Sequence, residues 1–128
     1  MKIHMVAALN QGLQQEMRRD PKVIVMGEDV GIDGGVFRVT DGLFKEFGAN
    51  RVIDTPLAES GIVGTAVGLA INGMKPVCEI QFDGFSYQSF HQIKQHLTAM
   101  RQRSEGTFST PVVVRFPCGG GIHALEHH

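Results

Sequence analysis

Glu59 is the single carboxylate in the run Thr55-Pro56-Leu57-Ala58-Glu59-Ser60-Gly61-Ile62-Val63-Gly64-Thr65-Ala66-Val67-Gly68, and no charge follows it until Lys75. Pro56 disfavours the α region at Thr55, so a strand or loop should end there. From Ser60 the run reads as a helix built from small and apolar residues, which should be buried on most sides. Glu59 then stands at the helix N-terminus, where free N–H groups and the positive dipole end favour an anion. Two roles are open to it. One is a capping carboxylate, a common device at helix starts. The other is a buried acid held for proton exchange with a partner, since burial disfavours the charge of a carboxyl group. Spacing does not choose between them.

Other residues carry chemistry by type. Glu28 and Asp29 follow an apolar run at the point where open α/β sheets place their sites, although acidic loop residues are commonly only solvated. Gly119-Gly120-Gly121-Ile122-His123-Ala124 fits G-x-G-x-x-A, but no helix has room to follow and no acid lies about twenty residues on. His123-Ala124-Leu125-Glu126-His127 fits H-x-x-E-H, a zinc-ligand spacing, yet the glycines before it favour a loop and no third ligand can follow. No metal site is therefore expected in this chain. Leu125-Glu126-His127-His128 reads either as native sequence or as the start of a histidine tag. Cys78 sits in an apolar run as a small core residue, and Cys118 lies far from it, so a pair of free thiols is expected. His4, His91 and His96 read as surface or helix residues.

The elements that would position these groups alternate between helix and strand. Residues 3–19 form an amphipathic helix, with Ile3, Val6, Leu9, Leu13 and Met17 at steps of three and four. Residues 22–26 are a short buried strand. Residues 31–35 are a glycine loop, 43–47 a short helix ended by Gly48, and 52–53 a second strand. The helix from Ser60 runs to about Asn72-Gly73, with Gly64 and Gly68 able to admit a close neighbour, across a subunit interface or within the chain. Residues 76–82 are a third strand, and Asp83-Gly84 a turn. Phe90, Ile93, Leu97 and Met100 mark one face of a helix running to about Arg103. Residues 104–110 are a polar loop and 112–116 a fourth strand. Buried strands alternating with helices predict a parallel sheet covered on both faces.

Composition sets bounds. The 128 residues suit one domain, and 42% hydrophobic with 20% charged residues is the balance of a globular chain. A net charge of −1 gives no reason to expect nucleic acid or an anionic membrane as partner. The longest uncharged apolar run, residues 61–74, is too short to span a bilayer, and no signal peptide is evident at the N-terminus.

The run 55–64 resembles the signature of the beta subunit of the thiamine-diphosphate-dependent decarboxylating component of 2-oxo acid dehydrogenase complexes, which act on pyruvate, branched-chain 2-oxo acids or acetoin. The likeness extends through Gly27-Glu28-Asp29-Val30, Gly34-Gly35-Val36-Phe37-Arg38-Val39-Thr40, Arg51-Val52-Ile53-Asp54 and Glu79-Ile80-Gln81-Phe82. It implies a thiamine-diphosphate-binding fold of the pyrimidine type, truncated at its C-terminal end. It also implies thiamine diphosphate shared with an alpha subunit, whose side carries the magnesium ion. A second beta subunit and a lipoyl acyltransferase core are the further partners implied, the core through a C-terminal domain absent here. By position, Glu59 would hydrogen-bond the pyrimidine ring nitrogen, and Glu28 would stand near it. Leu57 and Phe85 would lie against the ring, with core packing as the alternative for each. Gln81 would lie near the same ring, or bond backbone as a strand-end amide. His128 falls where the family places an acid–base histidine, a residue suited to that role near neutral pH.

The resemblance departs in length, and the isolated chain is expected to be inactive without its alpha partner and the missing segment. The location implied is the cytoplasm of a bacterium or the mitochondrial matrix of a eukaryote. Two other readings compete: the pyrimidine half of another thiamine-diphosphate enzyme such as a transketolase, and a non-catalytic module for subunit assembly.

Overall fold

The structure, a computed structural model, describes residues 2–119 and 123–124. Among them, four parallel strands form one sheet: β1 (Val23–Gly27), β2 (Val52–Asp54), β3 (Lys75–Glu79) and β4 (Val113–Arg115), in the order β2-β1-β3-β4. β1 is buried at all five positions. Its alternate side chains feed two cores, which is why it reads as a continuous apolar run. Val23 and Val25 join Met17, Val30, Leu43 and Val52 on one face. Met26 joins Ile62, Val63, Ala66, Cys78 and Ile80 on the other. The first core is covered by α1 (Met5–Arg19) and α2 (Leu43–Phe47), the second by α3 (Glu59–Ile71) and the helical stretch after β3. The expected parallel sheet between two helical layers is thus what forms.

Arg51 fastens the amino end of the sheet to the carboxyl ends of α1 and α2. Its guanidinium donates to the carbonyls of Met17 at 2.8 Å, Asp20 at 3.0 Å and Val23 at 2.7 Å. It also lies over the Phe47 ring, 5.0 Å from the centroid. Beside it Lys75 pairs with Asp20 at 2.7 Å, and the Lys75 ammonium holds the Asp20 carboxyl below the usual range.

Several boundaries differ from expectation. β3 ends at Glu79 rather than at Phe82, because the chain turns into a short 3₁₀ segment at Asp83–Phe85. The single helix expected to reach Arg103 is instead α4 (Ser86–His91), a π-helical stretch Gln92–Leu97 and α5 (Met100–Arg103). The Thr98 N–H reaches the Ile93 carbonyl, five residues back. Ile93 packs on the core while Phe90 stays exposed, because the buried side of α4 runs through Ser89, four residues before Ile93. α1 begins at Met5, and its apolar face is only half covered: Met17 is buried, but Val6 and Leu9 are exposed. Leu9 and Leu13 border a concavity of about 680 Å³ that runs along Val77, Val112 and Val113.

α3 also departs from the expectation of burial on most sides. Glu59, Ile62, Val63, Ala66, Val67 and Ala70 are buried, whereas Ser60, Gly61, Thr65 and Gly68 form an open face. A methyl group on Gly64 would meet the Gln92 side chain at an ordinary 3.5 Å, and one on Gly68 would meet nothing within 4 Å. The close helix approach expected at these two glycines does not occur among the described residues. Cys78 is fully buried and burial pushes its thiol up to about 12, while Cys118 is exposed.

Candidate functional site

The polar groups with chemical potential gather at the carboxyl ends of the strands. Glu59 is the first residue of α3, whose N-cap is Ala58 with no side-chain hydrogen bond capping it. Pro56 and the non-helical backbone at Ala58 deliver the chain from β2 into the helix at this point. The Glu59 side chain is 2% exposed, and its Oε2 has no hydrogen-bond partner among the described residues. A buried acceptor left in that condition costs roughly 1–3 kcal/mol. Among the described residues Oε2 makes no capping hydrogen bond to the helix N-terminus.

Glu28 stands beside it. It follows β1 directly, is 7% exposed, and its carboxyl is raised above the usual range, first by burial, then by the charges of Glu59 and Asp29. Glu28 and Glu59 are thus two buried acids near enough for the charge of one to act on the other.

The loop after β1 holds this arrangement. Asp29 has φ 55°, Gly34 75° and Gly35 78°, left-handed values that glycine adopts without strain. The Gly35 N–H donates to the Asp29 carbonyl at 2.7 Å, and the Thr40 N–H to the Gly34 carbonyl at 3.1 Å. Asp54, at the end of β2, accepts from the Gly31 N–H at 2.6 Å. Asn10 of α1 donates to the Val39 and Asp41 carbonyls at 2.7 and 2.9 Å.

The Gln81 amide donates to Asp29 Oδ2 at 2.7 Å, so its partner is a side chain rather than the backbone. Phe85 is partly buried against the second core and meets Phe82 edge-to-face at 5.6 Å, while Phe82 meets Phe37 of the loop at 5.9 Å. Phe85 thus has a core-packing role, and an aromatic chain joins it to the loop. Leu57 is 75% exposed, which excludes core packing for it. His128, together with Glu126 and His127 of the H-x-x-E-H pattern, lies outside the described residues, as do the possible tag residues 125–128.

Sequence reasoning missed Glu79. It is 2% exposed at the end of β3 and forms an ion pair with Arg115 Nη1 at the end of β4. Burial raises its carboxyl above the usual range, although the Arg115 charge acts the other way. A signal was present: a lone charge within Val77-Cys78-Glu79-Ile80 matches a lone charge within Val113-Val114-Arg115-Phe116.

Comparison with known proteins agrees with this geometry. A family model described as the transketolase pyrimidine binding domain matches residues 1–128. The chain is 61% identical over 124 residues to the pyruvate dehydrogenase E1 component subunit beta of Leifsonia xyli subsp. xyli, covering 97% of this chain and 37% of that protein. It is 56% identical over 126 residues to the same subunit of Acholeplasma laidlawii, covering 98% and 38%. It is 57% identical over 124 residues to the 3-methyl-2-oxobutanoate dehydrogenase subunit beta of Mycobacterium tuberculosis, covering 97% and 36%. The chain therefore spans well under half the length of these relatives. It belongs to the transketolase pyrimidine-binding domain family.

Proposed function

We propose that this pyrimidine-binding domain is the N-terminal part of a 2-oxo acid dehydrogenase beta subunit, in which Glu59 is the residue that activates thiamine diphosphate. The observation that carries the reading is the Oε2 of a nearly inaccessible Glu59, without a partner among the described residues, with a second buried acid, Glu28, near it. A heteroaromatic ring nitrogen is the kind of partner such an oxygen can share a proton with. The residues present therefore fit the aminopyrimidine group. When bound, thiamine diphosphate supplies the electron sink for decarboxylation.

The chain's own residues have distinct tasks. Glu59 holds a proton at the ring nitrogen and moves it as the tautomer changes. Glu28 biases that proton by keeping the pair from carrying two full charges. Phe85 and the exposed Leu57 bound the ring, and Gln81, anchored on Asp29, presents its remaining amide capacity toward the same space. His128 serves as the acid–base group for substrate or acyl transfer. An alpha subunit supplies the side that holds the diphosphate and its magnesium ion. A second beta subunit and an acyltransferase core complete the assembly, with a 2-oxo acid as substrate and the cytoplasm as its location in a bacterium.

The test pairs the complete beta subunit with its alpha partner and follows thiamine-diphosphate-dependent decarboxylation of pyruvate and 3-methyl-2-oxobutanoate. Glu59→Gln should lower kcat by about 100-fold or more, the scale of a lost proton-transfer group. Wild-type activity in that variant, or no binding of thiamine diphosphate by the wild-type assembly, would overturn the proposal.

A further inference from the structure

One row of residues closes the carboxyl ends of all four strands. Asp54, Gly27, Glu79 and Arg115 are matched across the ladder. The two carboxylates in that row serve the same loop from opposite flanks. Asp54 accepts from the Gly31 N–H at 2.6 Å and, more weakly, from that of Ile32 at 3.4 Å. Glu79 bounds the other flank. A methyl group placed on Gly35 would come within 3.2 Å of Glu79 Oε1 and 3.1 Å of Thr40 Oγ1, so the glycine backbone lies against the carboxylate. On β1 the fit is tighter: a methyl on Gly27 would lie 2.5 Å from the Glu79 carbonyl oxygen.

Stability alone gives little reason for a charge at this point. A buried ion pair is a weak stabiliser, because desolvation consumes most of the attraction, and an apolar pair of similar volume would pack as well. Glu79 also has no part in the chemistry proposed above. What its carboxylate does is fix, through Arg115, the wall against which Gly35 rests. The segment between Gly27 and Gly35 contains Glu28 and Asp29, and Gly35 is tied back to Asp29 by the 2.7 Å backbone bond.

We infer that Glu79, held by Arg115, is a positioning residue that seats the loop of residues 28–35 so that Glu28 faces Glu59. The catalytic consequence rests on the function proposed above; the seating of the loop does not.

The experiment uses the complete subunit assembled with its partner, comparing wild type, Glu79→Gln and the double variant Glu79→Gln/Arg115→Gln. Amide hydrogen exchange is read at Gly35 in the loop and at Val25, whose N–H donates to the Arg51 carbonyl at the far side of the strand. In Glu79→Gln, exchange at Gly35 should rise about tenfold while Val25 is unchanged, the pattern of a local opening. In the same variant kcat should fall with the KM for the 2-oxo acid unchanged. The double variant removes the uncompensated cation, and should regain the wild-type melting temperature without regaining Gly35 protection or kcat. Equal acceleration at both amides, or full recovery in the double variant, would mean a merely structural pair and overturn the inference. So would unaltered Gly35 exchange in both variants. If the wild type binds no thiamine diphosphate, the proposed function fails, but the exchange comparison still decides the role of Glu79.

Discussion

The two ends of the sheet treat charge in opposite ways. At the amino end Arg51, Asp20 and Lys75 are matched: Arg51 donates to three different carbonyls, and Asp20 accepts from Lys75 and from the Lys22 N–H at 2.8 Å. At the carboxyl end Glu28, Glu59 and Glu79 are all buried, two of them are raised above the ordinary range, and one oxygen of Glu59 has no partner among the described residues. The first pattern stabilises the fold. The second costs stability, and within it Glu28 and Glu59 are the groups proposed for proton chemistry. The sheet separates the two demands by the length of one strand.

The largest effect should come from exchanging the two kinds of damage. Glu59→Gln should remove most activity, by about 100-fold or more, while leaving the melting temperature unchanged or raised. Arg51→Met should do the reverse: a loss of about 2–3 kcal/mol, from carbonyls left without a charged donor, with kcat per folded molecule unchanged. Denaturant unfolding and steady-state kinetics on the same preparations check both. If both variants lose the same property, the division between the ends is not real.

The pH dependence should differ in sign between the ends. Asp20 has a lowered carboxyl, so its contribution is present above the unfolded value of 3.8 and disappears as pH falls through the folded value. Glu28 and Glu79 have raised carboxyls, so the native state binds more protons than the unfolded chain above 4.5. Their contribution is present below that value and is lost as pH rises through the folded values. Glu28→Gln should therefore flatten the decline on the rising limb, and Lys75→Met should flatten the acid limb. Urea midpoints measured from about pH 3 to pH 7 show which limb each variant changes.

The smallest effect is expected at Gly68. Its Cβ direction is open, so Gly68→Ala should stabilise α3 by up to about 1 kcal/mol through helix propensity. If that face packs against another chain, the variant should instead weaken assembly, which sedimentation at several concentrations would show.

Much of this was legible in the sequence where one residue type had one physical meaning. The β-branched run at residues 23–25 could only be a buried strand, and Pro56 followed by a small apolar run fixed Glu59 at a helix start. Glu28 beside Glu59 came from resemblance rather than from spacing. Two features lay beyond such reading. A π-helical stretch adds a residue to a register that periodicity assumes constant, so one regular helix from Phe90 to Arg103 is not what forms. The ion pair of Glu79 and Arg115 joins residues far apart in sequence, and only the pairing of β3 with β4 brings them together. The open face of α3 has a different cause: its expected neighbour is not among the described residues of this chain.

The shared row of Asp54, Gly27, Glu79 and Arg115 has a consequence for quality control. In a parallel sheet a slip of one residue turns every side chain of the slipped strand to the other face. A slip of β2 would carry Asp54 away from Gly31, and a slip of β3 would carry Glu79 away from Gly35. Either error would also empty one of the two cores. A chain that misfolds by register therefore loses the loop that presents Glu28 along with its packing. The seating of that loop is therefore a readout of strand alignment in this domain.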